Sequence, residues 1–202
     1  MKKIILFALL FVSIQGLQAQ NISILGYGGA LTGSYIYPLA SDVRLKGNYC
    51  YGAGVEFEMP EGSITLAWTG QQTNLSSRAF MSSDVKLLNV NVNYFQVGFN
   101  KDLIEGDVRP HSIFSMGLAQ FSPNGTYSFN EKWFFAASFG IGLKANITDK
   151  VALRLQAKGT MPLEMGGMGI FCGFGSGCSP DIYFNPILVQ GEFTAGVSVQ
   201  LN

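Results

Sequence analysis

Apolar and polar residues alternate along most of this chain after its first twenty positions, and the alternation predicts β-strands. Successive side chains of a strand point to opposite faces of a sheet. Leu153 and Leu155, for example, flank Arg154, so that one face is apolar and the other is polar. Runs of this kind predict eight strands, at 22–32, 47–59, 63–73, 86–100, 108–121, 133–146, 151–162 and 187–201.

The connections between these strands alternate in length. Short ones at 60–62, 101–107 and 147–150 separate long ones at 33–46, 74–85, 122–132 and 163–186. Outer-membrane barrels combine short periplasmic turns with long external loops in this way. The pattern therefore predicts an all-β protein, an eight-stranded antiparallel up-and-down transmembrane β-barrel with both termini on the periplasmic side.

The fourth predicted strand, 86–100, is less regular than the others. Asn89, Asn91 and Asn93 alternate with apolar residues, but from Phe95 onwards the apolar residues occupy the opposite set of positions. A β-bulge shifts the alternation of a strand by one residue. We therefore predict a bulge near Phe95.

Alternation alone does not say which face of a strand points outward, so a soluble barrel is the alternative to a membrane barrel. The polar set is rich in small residues, which suit the narrow lumen of eight strands, whereas the apolar set contains bulky residues that would overfill it. The apolar face is therefore predicted to contact lipid. Aromatic residues near the external ends predict an interfacial girdle. It consists of Tyr49, Tyr51, Phe121, Trp133, Phe135 and Phe184.

The amino terminus has the form of a secretory signal. Lys2 and Lys3 precede an apolar run at 4–12, and small residues follow up to Ala19. The run is too short to cross a bilayer of roughly 30 Å as a helix. We expect residues 1–19 to be a cleaved signal peptide and residues 20–202 to form the barrel domain, located in the cell outer membrane of a Gram-negative bacterium.

Charge is scarce, at 13% of residues, with 13 basic and 13 acidic side chains and no basic cluster, which argues against a nucleic-acid partner. Six charged residues on the polar strand faces are expected to share the lumen. Opposite charges in a narrow interior should pair, because isolated charges there cost several kcal/mol. The predicted network consists of Glu56, Glu58, Lys144, Arg154, Lys158 and Glu192, with Glu192 expected to contact Arg154 or Lys158. It would close the lumen, and a narrow porin-like channel is the alternative.

The cysteines and the histidine are the other candidate sites. Cys172 and Cys178 lie on either side of a Gly-rich pentapeptide in an exported chain, which predicts a disulfide between them, and Cys50 is expected to be a small buried residue. No metal site or cofactor is expected. A lipid-modifying enzyme is a less favoured alternative, because His111 and Ser112 are adjacent on a strand and point to opposite faces. No catalytic residue is assigned.

Several segments together resemble the porin-like small outer-membrane β-barrel proteins of Gram-negative bacteria. They are Gly106-Asp107-Val108-Arg109-Pro110, Leu153-Arg154-Leu155-Gln156-Ala157, the Gly- and Cys-rich last loop, and Gln190-Gly191-Glu192-Phe193. The resemblance covers the mature chain and implies insertion by the outer-membrane assembly machinery. We expect a structural or surface-interaction protein whose external loops contact lipopolysaccharide, lipid or another external partner.

Overall fold

The computed structural model describes residues 21–36, 43–60, 62–77, 85–124, 131–173 and 177–201, and of Val85 and residues 165–186 it describes the backbone alone. The predicted signal peptide lies outside the described residues. The strands are β1 (Ile22–Leu31), β2 (Ser34–Tyr35), β3 (Val43–Leu45), β4 (Asn48–Met59), β5 (Gly62–Ser77), β6 (Val85–Asp102), β7 (Val108–Asn124), β8 (Lys132–Asn146), β9 (Val151–Gly173), β10 (Gly177–Pro186) and β11 (Gln190–Gln200).

Eight of these strands form a closed antiparallel barrel. Each of β1, β4, β5, β6, β7, β8, β9 and β11 pairs with the next, and β11 pairs with β1 to complete the ring. The predicted eight-stranded barrel is therefore confirmed. Several strands run further than predicted at their external ends, and β9 continues to Gly173.

Part of the predicted external loops is β-structure instead. β2 and β3 lie within 33–46, and the segment 163–186 is occupied largely by a hairpin of β9 and β10 rather than by an irregular loop. Pairing with β10 continues β9 beyond its pairing with β8 and β11 in the barrel wall. The hairpin places Cys172 opposite Cys178 in its backbone register, while their side chains lie outside the described residues, so the disulfide stays a prediction.

The turn between β4 and β5 depends on Gly62. Its φ is +154°, and a Cβ at this position would lie 2.1 Å from the carbonyl oxygen of Asn100 on the neighbouring strand. A side chain would be strained here on both counts. This glycine lets β5 begin directly against β6.

In the periplasmic half, the wall is polar inside and apolar outside. Inward positions include Ser23, Glu56 and Thr65, all buried, whereas Leu66, Val97 and Leu155 point outward and are exposed. A wall with bulky apolar residues facing out and small or charged residues facing in is the arrangement of a transmembrane barrel. This is the orientation that the sequence predicted.

In the external half of β6, this polarity reverses, and the predicted bulge near Phe95 is wrong. β6 pairs with β5 and β7 without a shift at Phe95, and the one irregularity in its pairing lies further out, opposite Leu75 and Ser76. Val92 and Tyr94 face inward and are buried, while Asn91 and Asn93 face outward. The alternation of inward and outward residues continues unchanged along β6, and the medium outside the strand changes from lipid to water.

The inward residues of this external half form an apolar cluster inside the barrel, which we call the plug. It consists of Leu31, Leu45, Cys50, Val90, Val92, Tyr94, Ala119, Ala136 and Leu188. Phe121 and Phe134 pack against it and meet edge to face, with ring centroids 5.5 Å apart. The external end of the barrel is thus built like the core of a water-soluble β-protein.

Candidate functional site

The periplasmic part of the lumen holds a cluster of four charged side chains. Arg154 donates to both carboxylate oxygens of Glu56, and Ser63 Oγ donates to the same carboxylate at 2.5 Å. Lys144 pairs with Glu58 and also lies 3.8 Å from Glu56. The side chain of Glu56 is 1% exposed and that of Arg154 5%, so this is a buried network rather than a solvated surface.

A second charge pair lies on β9 and β11. Lys158 Nζ is 3.0 Å from Glu192 Oε1, and the two residues are direct partners in the strand register. The structure thus places Glu192 with Lys158, one of the two cations expected for it, and brings Arg154 to Glu56 instead. All six residues of the predicted lumen set lie in one of these two groups.

Hydrogen bonds between uncharged side chains lie in the lumen near the plug. Tyr94 Oη donates to Gln190 Oε1 at 2.6 Å, and Gln190 Nε2 donates to Thr32 O at 3.1 Å. On the opposite side, Gln96 Nε2 donates to Ser138 Oγ at 2.6 Å. The Tyr94–Gln190 and Gln96–Ser138 bonds cross the lumen, because each joins strands that are not neighbours in the wall.

Small cavities follow one another along the lumen below the plug. One is lined by Glu56, Lys144 and Arg154, and the next by Arg154 and Thr194. A third is lined by Lys158 and other polar side chains. The polar groups therefore continue from the periplasmic mouth to the level of Lys158, where the apolar plug begins to fill the interior.

His111 is buried near the periplasmic mouth. Its Nδ1 lies 3.4 Å from the carbonyl oxygen of Arg109, and its ring fits against the backbone of Gly142, where a Cβ would lie 2.3 Å from Nε2. Ser112 points outward, with Oγ 3.5 Å from Lys101 O. The two side chains are therefore on opposite sides of the wall. Sequence reasoning had no means of finding the contact with Gly142.

The predicted aromatic girdle is only partly on the outer surface. Tyr49, Tyr51 and Trp133 are exposed, and Phe135 is half-buried. Phe121 belongs to the interior instead, because its strand carries inward residues at odd positions, and it packs against the plug. The Phe184 side chain lies outside the described residues.

Aromatic residues outside the predicted girdle also lie on the outer surface. Trp68 meets Tyr51 edge to face, with centroids 5.6 Å apart, and Phe95 stacks on Trp133 at 6.1 Å. Nearer the periplasmic end, the ring centroids of Phe114 and Phe139 are 5.0 Å apart. The outward aromatic positions on β5 and β6 could have been found from the alternation alone.

Within the described residues, no group of three His, Cys, Asp or Glu side chains is placed to hold a metal ion. In the same part of the chain, no helix is long and apolar enough to cross a bilayer. The arrangement can hold charges in fixed pairs and exclude water at its external end.

Comparison with known proteins gives structural likeness without sequence likeness. No family model matches the chain, and no curated protein matches it. The crystal structure of the outer membrane protein OprG from Pseudomonas aeruginosa matches with a TM-score of 0.61 and 10% identity, over 89% of this chain and 96% of that one. The crystal structure of Neisserial surface protein A matches with a TM-score of 0.57 and 12% identity, over 89% of this chain and 97% of that one.

These likenesses show the fold. The chain has the fold of the small outer-membrane β-barrel proteins, as the resemblance in its sequence implied, and these two structures are of a surface protein and an outer membrane protein. This fold agrees with the outer-membrane location predicted from the sequence.

Proposed function

We propose that this chain is an outer-membrane barrel with a closed lumen that acts as a structural or surface-interaction protein through its external end. One observation supports the closed lumen above all. The apolar plug lies next to a lumen crossed by hydrogen bonds and ion pairs, and Val92, Ala119 and Ala136 within it are completely buried. A hydrated ion would have to displace packed apolar side chains, which interiors at native density resist.

The paired charges support the same proposal. Ion-selective pores leave charged side chains free to meet the passing ion. Here Glu56, Arg154, Lys158 and Glu192 each already have an oppositely charged partner. The groups that could attract an ion are therefore engaged with one another.

The external end is then the part of the molecule that can meet a partner. The strands β5, β6, β7 and β9 continue beyond the aromatic belt, and the β9–β10 hairpin carries the predicted Cys172–Cys178 clamp. A non-enzymatic role is part of the proposal, because His111 is enclosed by the wall and Ser112 points away from it. Outer-membrane lipid, lipopolysaccharide and the assembly machinery are the partners proposed.

Single-channel recording on refolded protein in planar bilayers tests the closed lumen. We expect no reproducible conductance steps from the native chain. The matched variant Val92→Gly/Tyr94→Gly, which empties part of the plug, should show steps or bursts if the plug is the seal. Ion-sized steps from the native protein that change with Glu192→Ala would contradict the proposal and favour the narrow channel.

A further inference from the structure

A continuous patch of uncharged polar side chains covers the outer surface of β5, β6 and β7 beyond the aromatic belt. We call it the amide face. Its members are Gln72, Asn74, Asn89, Asn91, Asn93, Gln120, Ser122 and Asn124.

The outward direction of these side chains follows from their neighbours. Tyr94, Val92 and Ala119 point into the plug and are buried. Residues next to them along each strand must point the other way. The same argument holds on β5, where Gln71 and Thr73 are buried and Gln72 is exposed.

The strand register arranges the amide face in rows. Gln72 pairs with Asn91, which pairs with Ser122, and the next row outward joins Asn74, Asn89 and Asn124. Cross-strand neighbours of this kind have Cβ atoms about 4.5–5.5 Å apart. The face is therefore a regular array of donors and acceptors.

The row nearest the membrane is fixed by hydrogen bonds on the surface. Trp68 Nε1 donates to Asn93 Oδ1 at 3.2 Å, and Asn93 Nδ2 donates to Gln120 Oε1 at 3.0 Å. Gln120 in turn donates to Glu131. The amide face thus begins at the indole of the belt residue Trp68, which places it just beyond the hydrocarbon boundary, where aromatic belts lie.

The chemistry of the face indicates what it meets there. Each side-chain amide offers two donors and one acceptor oxygen, which match the hydroxyl groups of a sugar, and the exposed rings of Tyr51 and Trp133 beside it offer apolar planes. A surface selected for phosphate alone would carry arginines or lysines instead. The eight members of the face carry no charge.

We propose that the amide face is a docking surface for the oligosaccharide part of an outer-leaflet glycolipid. The glycolipid that surrounds the barrel just beyond the hydrocarbon boundary carries these sugars. The side chains of the amide face therefore meet their ligand along the barrel wall rather than at the loop tips. The inference rests on the outer-membrane location in the proposed function. It does not depend on whether the lumen is closed.

Binding of a soluble oligosaccharide tests it. The probe is the acyl-free core oligosaccharide released from rough lipopolysaccharide by mild acid, titrated by calorimetry into the full mature chain in phosphatidylcholine nanodiscs. We expect binding by the native protein and a loss of about tenfold or more in affinity in Gln72→Ala/Asn91→Ala/Ser122→Ala, because a whole row of contacts is removed. The control Asn21→Ala/Ser112→Ala, with polar residues removed elsewhere on the surface, should bind as the native protein does.

Other outcomes overturn the proposal. They are no binding of the oligosaccharide to native protein, equal binding by the row variant, and binding of intact lipopolysaccharide without binding of its oligosaccharide. Cross-linking of two copies through the face, with no effect of the sugar, would assign it to self-association instead. Mobility of unboiled samples on gels confirms that each variant is folded. If the native barrel conducts ions and also binds the sugar, the proposal of a closed lumen is wrong and the proposal for the amide face stands.

Discussion

Replacing Glu56 by Gln tests the buried charge network most directly. The substitution keeps the shape of the side chain and its contact with Ser63 but removes the negative charge that faces Arg154. Lys144 keeps its partner Glu58, so Arg154 is the cation that loses compensation.

The burial of the pair sets the magnitude. Removing one partner of a buried ion pair costs about 3–5 kcal/mol, because the remaining charge stays in a poorly solvated place. The polar cavity beside Arg154 allows some solvation, so we expect about 3 kcal/mol of lost stability. Replacing both residues, as in Glu56→Gln/Arg154→Gln, should recover much of it, since neither charge is then left alone.

The measurement is urea-induced unfolding of vesicle-inserted protein, followed by tryptophan fluorescence and by the gel mobility of unboiled samples. Glu58→Gln is the matched control, because Glu58 is 22% exposed at the mouth, and it should cost about 1 kcal/mol. If the two single substitutions cost the same, Arg154 is solvated by water in the lumen. The argument that ion pairs help to close the lumen would then be wrong.

Three further outcomes follow from particular contacts. Tyr94→Ala should cost about 3–5 kcal/mol by leaving a void in the plug, and Tyr94→Phe about 1–3 kcal/mol because Gln190 Oε1 loses its donor; equal costs in urea unfolding would mean that the hydroxyl carries the whole effect. Gly142→Ala should cost about 1–3 kcal/mol, because its Cβ would meet the His111 ring, and His111→Ala should restore most of this in the double variant; no rescue would place the clash elsewhere. Mass spectrometry after alkylation should show Cys172 and Cys178 modified only after reduction, and modification of both without reductant would mean free thiols.

The barrel could be predicted because lipid and lumen impose opposite demands on alternate residues. Leu153 and Arg154 already show this within two positions, and the short turns then fix the up-and-down order. The pairing of Lys158 with Glu192 joins two adjacent strands and could therefore be predicted from the sequence. That of Arg154 with Glu56 depends on the stagger of strands across the lumen, which no local pattern contains.

The external half was misread for one physical reason. Alternation gives the two faces of a strand but not the medium on each side, and the medium changes along β6. Asn93 and Phe95 both point outward, Asn93 beyond the hydrocarbon boundary and Phe95 within it. The change from water to lipid along the strand was therefore interpreted as a shift in its alternation. The same error placed Phe121 on the surface, although it packs inside the barrel where the plug has replaced the polar lumen.

The amide face also bears on how the finished barrel stays in place. Moving a side-chain amide into hydrocarbon costs roughly 2–7 kcal/mol when its hydrogen bonds are lost. A barrel pushed back towards the periplasm would draw Asn93, Gln120 and then Gln72 into lipid one row after another. The side chains of the amide face thus oppose movement of the barrel back towards the periplasm. They resist withdrawal of the barrel once its strands have crossed.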